Sequence, residues 1–255
     1  INILTNTGTI SAVGNRGIIN RGGNRGTIGT IINSGTISSG NNDGIITAGI
    51  IGTITNSGTI SAANDFGISN TGTITTITNT NSGTISAGND SGISNTGTIT
   101  TITNTGRISA SGNNIGILNT GTITTLNNSQ GATTSALTYD GTLPTNYNII
   151  VISIEDFGQI VFSNVSGAIN FEIDTSSNLA DVDTTYSTVL SGLSSGDIAS
   201  GFSGIFSSGV ITKTWTLVNS SGSLWDLILT VIDITNNTNT SVTTSVKPNV
   251  ILAIN

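Results

Sequence analysis

The chain of 255 residues contains no cysteine, no methionine and no histidine. Disulfides, thiol nucleophiles, imidazole acid–base catalysis and the usual zinc or copper ligands are thereby excluded. Charge is scarce too, at 7% of residues, whereas the hydrophobic fraction of 35% is too large for a chain kept unfolded by polarity. No apolar run reaches the ~20 residues of a membrane-spanning helix. A net charge of −7 speaks against a nucleic-acid partner. No phosphate-binding G-x-x-x-x-G-K-[ST] loop occurs.

The scarce residue types are divided unevenly. Residues 1–131 hold four Arg against Asp43, Asp65 and Asp90, with no Glu and no Lys. Residues 132–255 hold Lys213 and Lys247 against ten acids, a net −8 against +1 for the first half. Ten of the eleven aromatics follow residue 131, while 24 of the 33 glycines do not. Two domains are expected, 1–131 and 132–255.

What is present in the first half is repetition. ISNTGTITTITNT occupies residues 68–80 and again 93–105. Aligned on glycine, GTIS or GRIS begins at Gly8, Gly35, Gly58, Gly83 and Gly106. A G-I station follows at Gly17, Gly44, Gly67, Gly92 and Gly116, and a third station at Gly26, Gly49, Gly72, Gly97 and Gly121. The period is 23–27 residues, and Ile recurs in phase with it, as in Ile10, Ile37, Ile60, Ile85 and Ile108. β-Branched residues favour strands, and Gly with Asn favours tight corners. Repetition at this period signals a stacked-repeat architecture. The pattern predicts an all-β protein whose N-terminal part is a parallel β-solenoid of about five turns, three strands each. Identical Ile would stack inside, with Thr and Asn ladders outside. Leu4 and Asn6 read as the tail of a preceding turn.

The second half reads as strands at 147–154, 158–165, 167–174, 210–218 and 225–234, separated by turns. An antiparallel, sandwich-like domain is expected, closed by a strand at 242–254.

NSGTIS (33–38, 56–61) and NTGTIT (70–75, 95–100, 119–124) resemble the repetitive passengers of bacterial autotransporter adhesins and other large surface β-helix proteins. LPTNYNIIVISIEDFGQIVFSNVSG, with SSGSLWDLIL further on, is similar to a module that follows such repeats. The resemblance implies an extracellular protein on the surface of a Gram-negative-type bacterium. Membrane-barrel strands of the kind that translocate such passengers are not seen in the sequence.

Catalysis has little to work with. Asp43, Asp65 and Asp90 occupy one repeat station and read as corner residues rather than as a glycosidase pair. Asp174, Asp181 and Asp183 surround a polar loop and are the candidate Ca²⁺ ligands, since Ca²⁺ prefers oxygen. Thr73-Ile74-Thr75, Thr98-Ile99-Thr100 and Thr122-Ile123-Thr124 form a T-x-T array of the kind that ice-binding solenoids use. The leading expectation is a non-enzymatic extracellular structural protein whose partner is itself. Head-to-tail assembly into fibres or matrix would use Arg16, Arg21 and Arg25 at one pole. At the other it would use the C-terminal strand with Val242, Val246, Val250 and Leu252. An adhesin passenger that binds surface glycans or neighbouring cells is the alternative; an ice-binding protein or a polysaccharide-acting enzyme ranks below both. No cofactor is expected beyond the Ca²⁺ candidate.

Overall fold

The computed structural model describes residues 1–21, 26–112, 115–208 and 211–232. Strand β1 (Ile3–Asn6) precedes the first three-strand turn, β2 (Thr9–Ala12), β3 (Ile18–Asn20) and β4 (Thr27–Asn33). The next turns are β5 (Thr36–Ser39), β6 (Ile45–Thr47), β7 (Ile50–Asn56) and β8 (Thr59–Ala62), β9 (Ile68–Asn70), β10 (Thr73–Asn79). Two more follow, β11 (Thr84–Ala87), β12 (Ile93–Asn95), β13 (Thr98–Asn104) and β14 (Arg107–Ala110), β15 (Ile117–Asn119), β16 (Thr122–Asn128). Each glycine-led station of the sequence is thus one strand. Like strands stack in parallel into three sheets: A from β1, β4, β7, β10, β13 and β16; B from β2, β5, β8, β11 and β14; C from β3, β6, β9, β12 and β15.

The register is the sequence repeat made physical. Ile10 pairs with Ile37, Ile37 with Ile60, Ile60 with Ile85 and Ile85 with Ile108. The Ile74–Ile99–Ile123 and Ile77–Ile102–Leu126 columns align in the same way. From Ile37 onward these side chains are essentially inaccessible to solvent, and burying each contributes about 1.5–3 kcal/mol. Corners stack as tightly as strands: a Cβ on Gly58 would lie 2.0 Å from the Gly35 carbonyl oxygen. Only glycine admits that approach.

The coil does not end at residue 131. Strand β17 (Leu137–Thr142) pairs parallel with β15, and β18 (Asn146–Ile149) with β16. Next, β19 (Ile160–Ser166) pairs parallel with β17, β20 (Asn170–Ile173) with β18, and β21 (Thr184–Ser191) with β19. Two-strand turns therefore extend five three-strand turns, giving about seven in all. Between strands, antiparallel pairing begins at β21, where β24 (Leu224–Ile232) joins it; β23 (Ile211–Ser221) pairs with β24, and β22 (Ser203–Ser208) with β23. The expected antiparallel part exists, but as a mixed sheet that continues sheet C rather than as a sandwich beginning at 132. The expected strand 242–254 lies outside the described residues.

The compositional shift at 131 marks a change in core filling. Tyr139 stacks over Ile117 and Phe162 over Tyr139; Tyr147 stacks over Leu126 and Phe171 over Tyr147. Sheet B has stopped, and wider side chains fill the space between the two sheets that continue. Tyr139–Phe162 and Tyr147–Phe162 meet edge-on at 5.4 and 6.1 Å, a geometry the ring quadrupoles favour.

Asparagine departs from expectation. Asn33, Asn56, Asn79, Asn104 and Asn128 are fully buried. Each Nδ2 donates to the next Oδ1 along the axis, from Asn6 to Asn33 (2.8 Å), then 2.8, 2.9, 2.9 and 3.1 Å to Asn128. A second internal ladder runs Asn70–Asn95–Asn119 at 2.7 Å per step. Thr does form outward columns, such as Thr30–Thr53–Thr76–Thr101–Thr125. Its smaller, β-branched side chain suits the exposed face, whereas the amide suits a corner full of unpaired carbonyls.

Candidate functional site: the two ends of the solenoid

A stacked solenoid satisfies its backbone everywhere except at its ends, so its chemistry concentrates there. At the N-terminal pole, β1, β2 and β3 are the edge strands of sheets A, B and C. No strand covers their outer side among the described residues. Leu4 and Ile10 are only partly buried, although their column mates Ile31 and Ile37 are at 0%. Ile1, Ile3 and Val13 are 74%, 59% and 86% exposed. A row of unpaired amides and carbonyls next to bare Ile and Val is a template for one more rung.

The far end is closed in two sheets by side chains acting as strands. On the β14 edge of sheet B, the Gln130 Oε1 accepts from the Ile108 N–H at 2.7 Å and its Nε2 donates to the Ile108 carbonyl at 3.2 Å. The same amide accepts from Asn104 Nδ2 (3.1 Å) and donates to the Ser135 carbonyl (3.1 Å). On the β20 edge of sheet A, Ser200 Oγ accepts from Phe171 N–H (2.8 Å) and donates to its carbonyl (3.3 Å). A bridge between Ile169 and Ile198 continues that cover. Sheet C instead runs into its hairpins, so its far edge is β22. Lys213 of β23 is buried beneath them; its ammonium donates to the carbonyls of Leu179 (2.9 Å) and Ala180 and pairs with Asp181 (3.3 Å).

The named residues divide accordingly. Arg16 is committed within its own repeat column, its Nε 2.9 Å from Asp43 Oδ2, with Asp43 almost fully buried. Arg21 is exposed beside the end of β3. Arg25, Val242, Val246, Val250 and Leu252 lie outside the described residues. The calcium candidates are not brought together. Asp174 accepts from the Ser176 N–H (2.8 Å), Asp181 pairs with Lys213, and Asp183 accepts from the Val231 N–H (3.0 Å). Each carboxylate is used locally, and no group of three metal-ligating side chains forms among the described residues.

Asp65 and Asp90 share one column with Asn42, whereas Asp43 stands one place on, in the column of Phe66 and Ser91; the corner bonds to backbone come from Asn42 and Asn64. Desolvation, with Asp43 and Asp90 above and below, raises the Asp65 carboxyl above its ordinary value, against a lowering by Arg16. A raised folded-state pKa means that ionised Asp65 costs stability, and the cost appears as pH rises through the interval above the ordinary value. Asp65→Asn is therefore expected to raise the thermal midpoint at pH 7, with the gain fading near pH 3. A midpoint difference independent of pH in paired melts would contradict this.

Gln130, Ser200 and the inward asparagines are the residues that sequence reasoning missed. The asparagines carried a signal, because Asn79 sits two places after Ile77 and so shares its inward face. Gln130 carried none, since its role depends on where sheet B stops.

No protein-family model, no curated protein and no solved structure matches the chain. The β-helix architecture implied by the N-[ST]-G-T-I repeats is shown by the fold itself, and the functional reading rests on the geometry of the ends.

Proposed function

We propose that the protein is a non-enzymatic, extracellular structural subunit that assembles head-to-tail into surface fibres or matrix. The observation that supports this reading is the inequality of the two ends. Among the described residues, one pole presents β1, β2 and β3 as edge strands, and the other is closed except at β22. Unlike ends on one chain make a heterologous contact, which propagates as rings or filaments rather than stopping at a dimer. The body between them is a parallel coil with a buried Ile–Asn interior and few charged side chains, suited to bearing load rather than to chemistry. Electron microscopy of the purified full chain is expected to show unbranched filaments with an axial repeat of one subunit length. Dispersed monomers at every concentration would overturn the proposal.

One observation favours a second reading, an adhesin passenger that binds glycans. A shallow trough of about 540 Å³ on the outer face of sheet B is lined by Arg107 together with Ser86, Ser109 and Ser111. A guanidinium among hydroxyls suits a carboxylated sugar. Binding of uronic or sialic acid oligosaccharides that Arg107→Ala abolishes would favour it, and no retention on such glycans would dismiss it.

A further inference from the structure

The assembly proposed above needs a donor edge at the far end, and the structure offers one. We infer that β22 of one copy pairs with β3 of the next, so that sheet C runs unbroken from subunit to subunit. The inference rests on the head-to-tail reading and names the surfaces that meet.

Three observations carry it. First, β3 and β22 are the two edge strands of one eleven-stranded sheet. Sheets A and B have no such pair, because Gln130 and Ser200 occupy their far edges. Second, strand direction is compatible. β21 runs parallel to the solenoid strands of sheet C, and three successive antiparallel pairings leave β22 running against β3. A following copy in the same orientation therefore presents β3 antiparallel to β22. Third, the flanking charges are complementary. Beside β22 lies a groove of about 430 Å³, with Glu172, Ile173 and Asp174 on one bank and Ile205, Phe206 and Ser207 on the other. Glu172 is exposed and, among the described residues, in no ion pair, and Ile205 is 67% exposed. Beside β3, Arg21 is exposed and in no ion pair among the described residues, and Ile19 is 39% exposed. β22 itself, SGIFSS, has none of the charge or proline with which edge strands usually discourage pairing. Each end thus brings an open edge, an exposed Ile and an unpaired charge of opposite sign. Uninterrupted pairing of eleven strands per subunit corresponds to a repeat of about 50 Å at ~4.8 Å per strand.

Charge reversal tests the contact in the full chain, with circular dichroism and the thermal midpoint as checks that each variant folds. Arg21→Glu and Glu172→Lys should each raise the critical concentration for assembly at least about tenfold, because each sets like charges opposite one another. The double variant Arg21→Glu/Glu172→Lys should assemble near the wild-type concentration, and raised salt should weaken wild-type assembly. Ile205→Lys, which puts a charge on the donor edge, should block filaments while leaving the monomer folded. Wild-type filaments that form equally well in both charge variants and in Ile205→Lys would overturn the β22–β3 contact while leaving head-to-tail assembly standing. A wild-type chain that never assembles would overturn both. Filaments lost on deletion of residues 242–255 but untouched by the three substitutions would assign the donor strand to the C-terminal segment instead, and overturn the contact.

Discussion

Asn79→Ala is expected to lower the free energy of unfolding by about 3–5 kcal/mol, a large share of a domain's stability. The Asn79 amide donates to Asn104 Oδ1 at 2.9 Å and to the carbonyls of Gly83 and Arg107 at 3.2 Å, and its Oδ1 accepts from Asn56 at 2.9 Å. Alanine removes none of those partners, and the interior is too tightly stacked for water to replace the amide. Each buried group left unpaired costs about 1–3 kcal/mol, less where a neighbour re-pairs. Asn79→Asp separates shape from chemistry. Aspartate keeps the size but turns an oxygen toward three acceptors, so it should destabilise at neutral pH and partly recover in acid, when the carboxyl can donate again. Urea unfolding followed by far-ultraviolet circular dichroism reads both. Losses under ~1 kcal/mol in Asn79→Ala would show that the ladder is incidental to stability.

Gln130→Ala is expected to cost about 2–4 kcal/mol and to change what the molecule exposes. The side chain satisfies the Ile108 amide and carbonyl, Asn104 and the Ser135 carbonyl with one planar group. Its loss strips the β14 edge bare and creates a second open edge at the far end. Hydrogen exchange at the Ile108 amide should speed up by more than about tenfold, and the variant should aggregate more readily than the parent, as exposed edges do. Gln130→Glu retains the acceptor but loses the donor, so it should fall between. Unchanged exchange at Ile108 would mean that another group closes the edge.

Much of the architecture could be read before any coordinates. Ile at fixed stations, glycine at each corner and thirteen identical residues in successive repeats admit one arrangement, in which like residues stack. Register followed from the same pattern, down to Leu4 and Asn6 as the remnant of a rung. The second half was harder. Its strands were legible, expected at 158–165, 167–174 and 225–234 and found at 160–166, 170–173 and 224–232, but their partners were not. A short apolar run reads alike whether it pairs parallel with the strand one turn back or antiparallel with its neighbour. Aromatic enrichment suggested a new domain, whereas it reports a wider core once sheet B is gone. The ends were legible only in part. Arg16 and Arg21 stood out as charge near a pole, and the structure pairs Arg16 with Asp43.

By itself, the sequence determined the repeat, the three sheets of the solenoid, their register and the columns of Ile. Those depend on local preferences and on periodicity, and stacking enforces them in every rung. Tertiary structure alone decided where each sheet stops and what covers its last strand. Gln130 reaches Ile108 across 22 residues, and Ser200 reaches Phe171 across 29. Neither distance belongs to the repeat. Edge closure depends on which chain segment arrives at a particular backbone group in space, and periodicity carries no information about a place where the period ends.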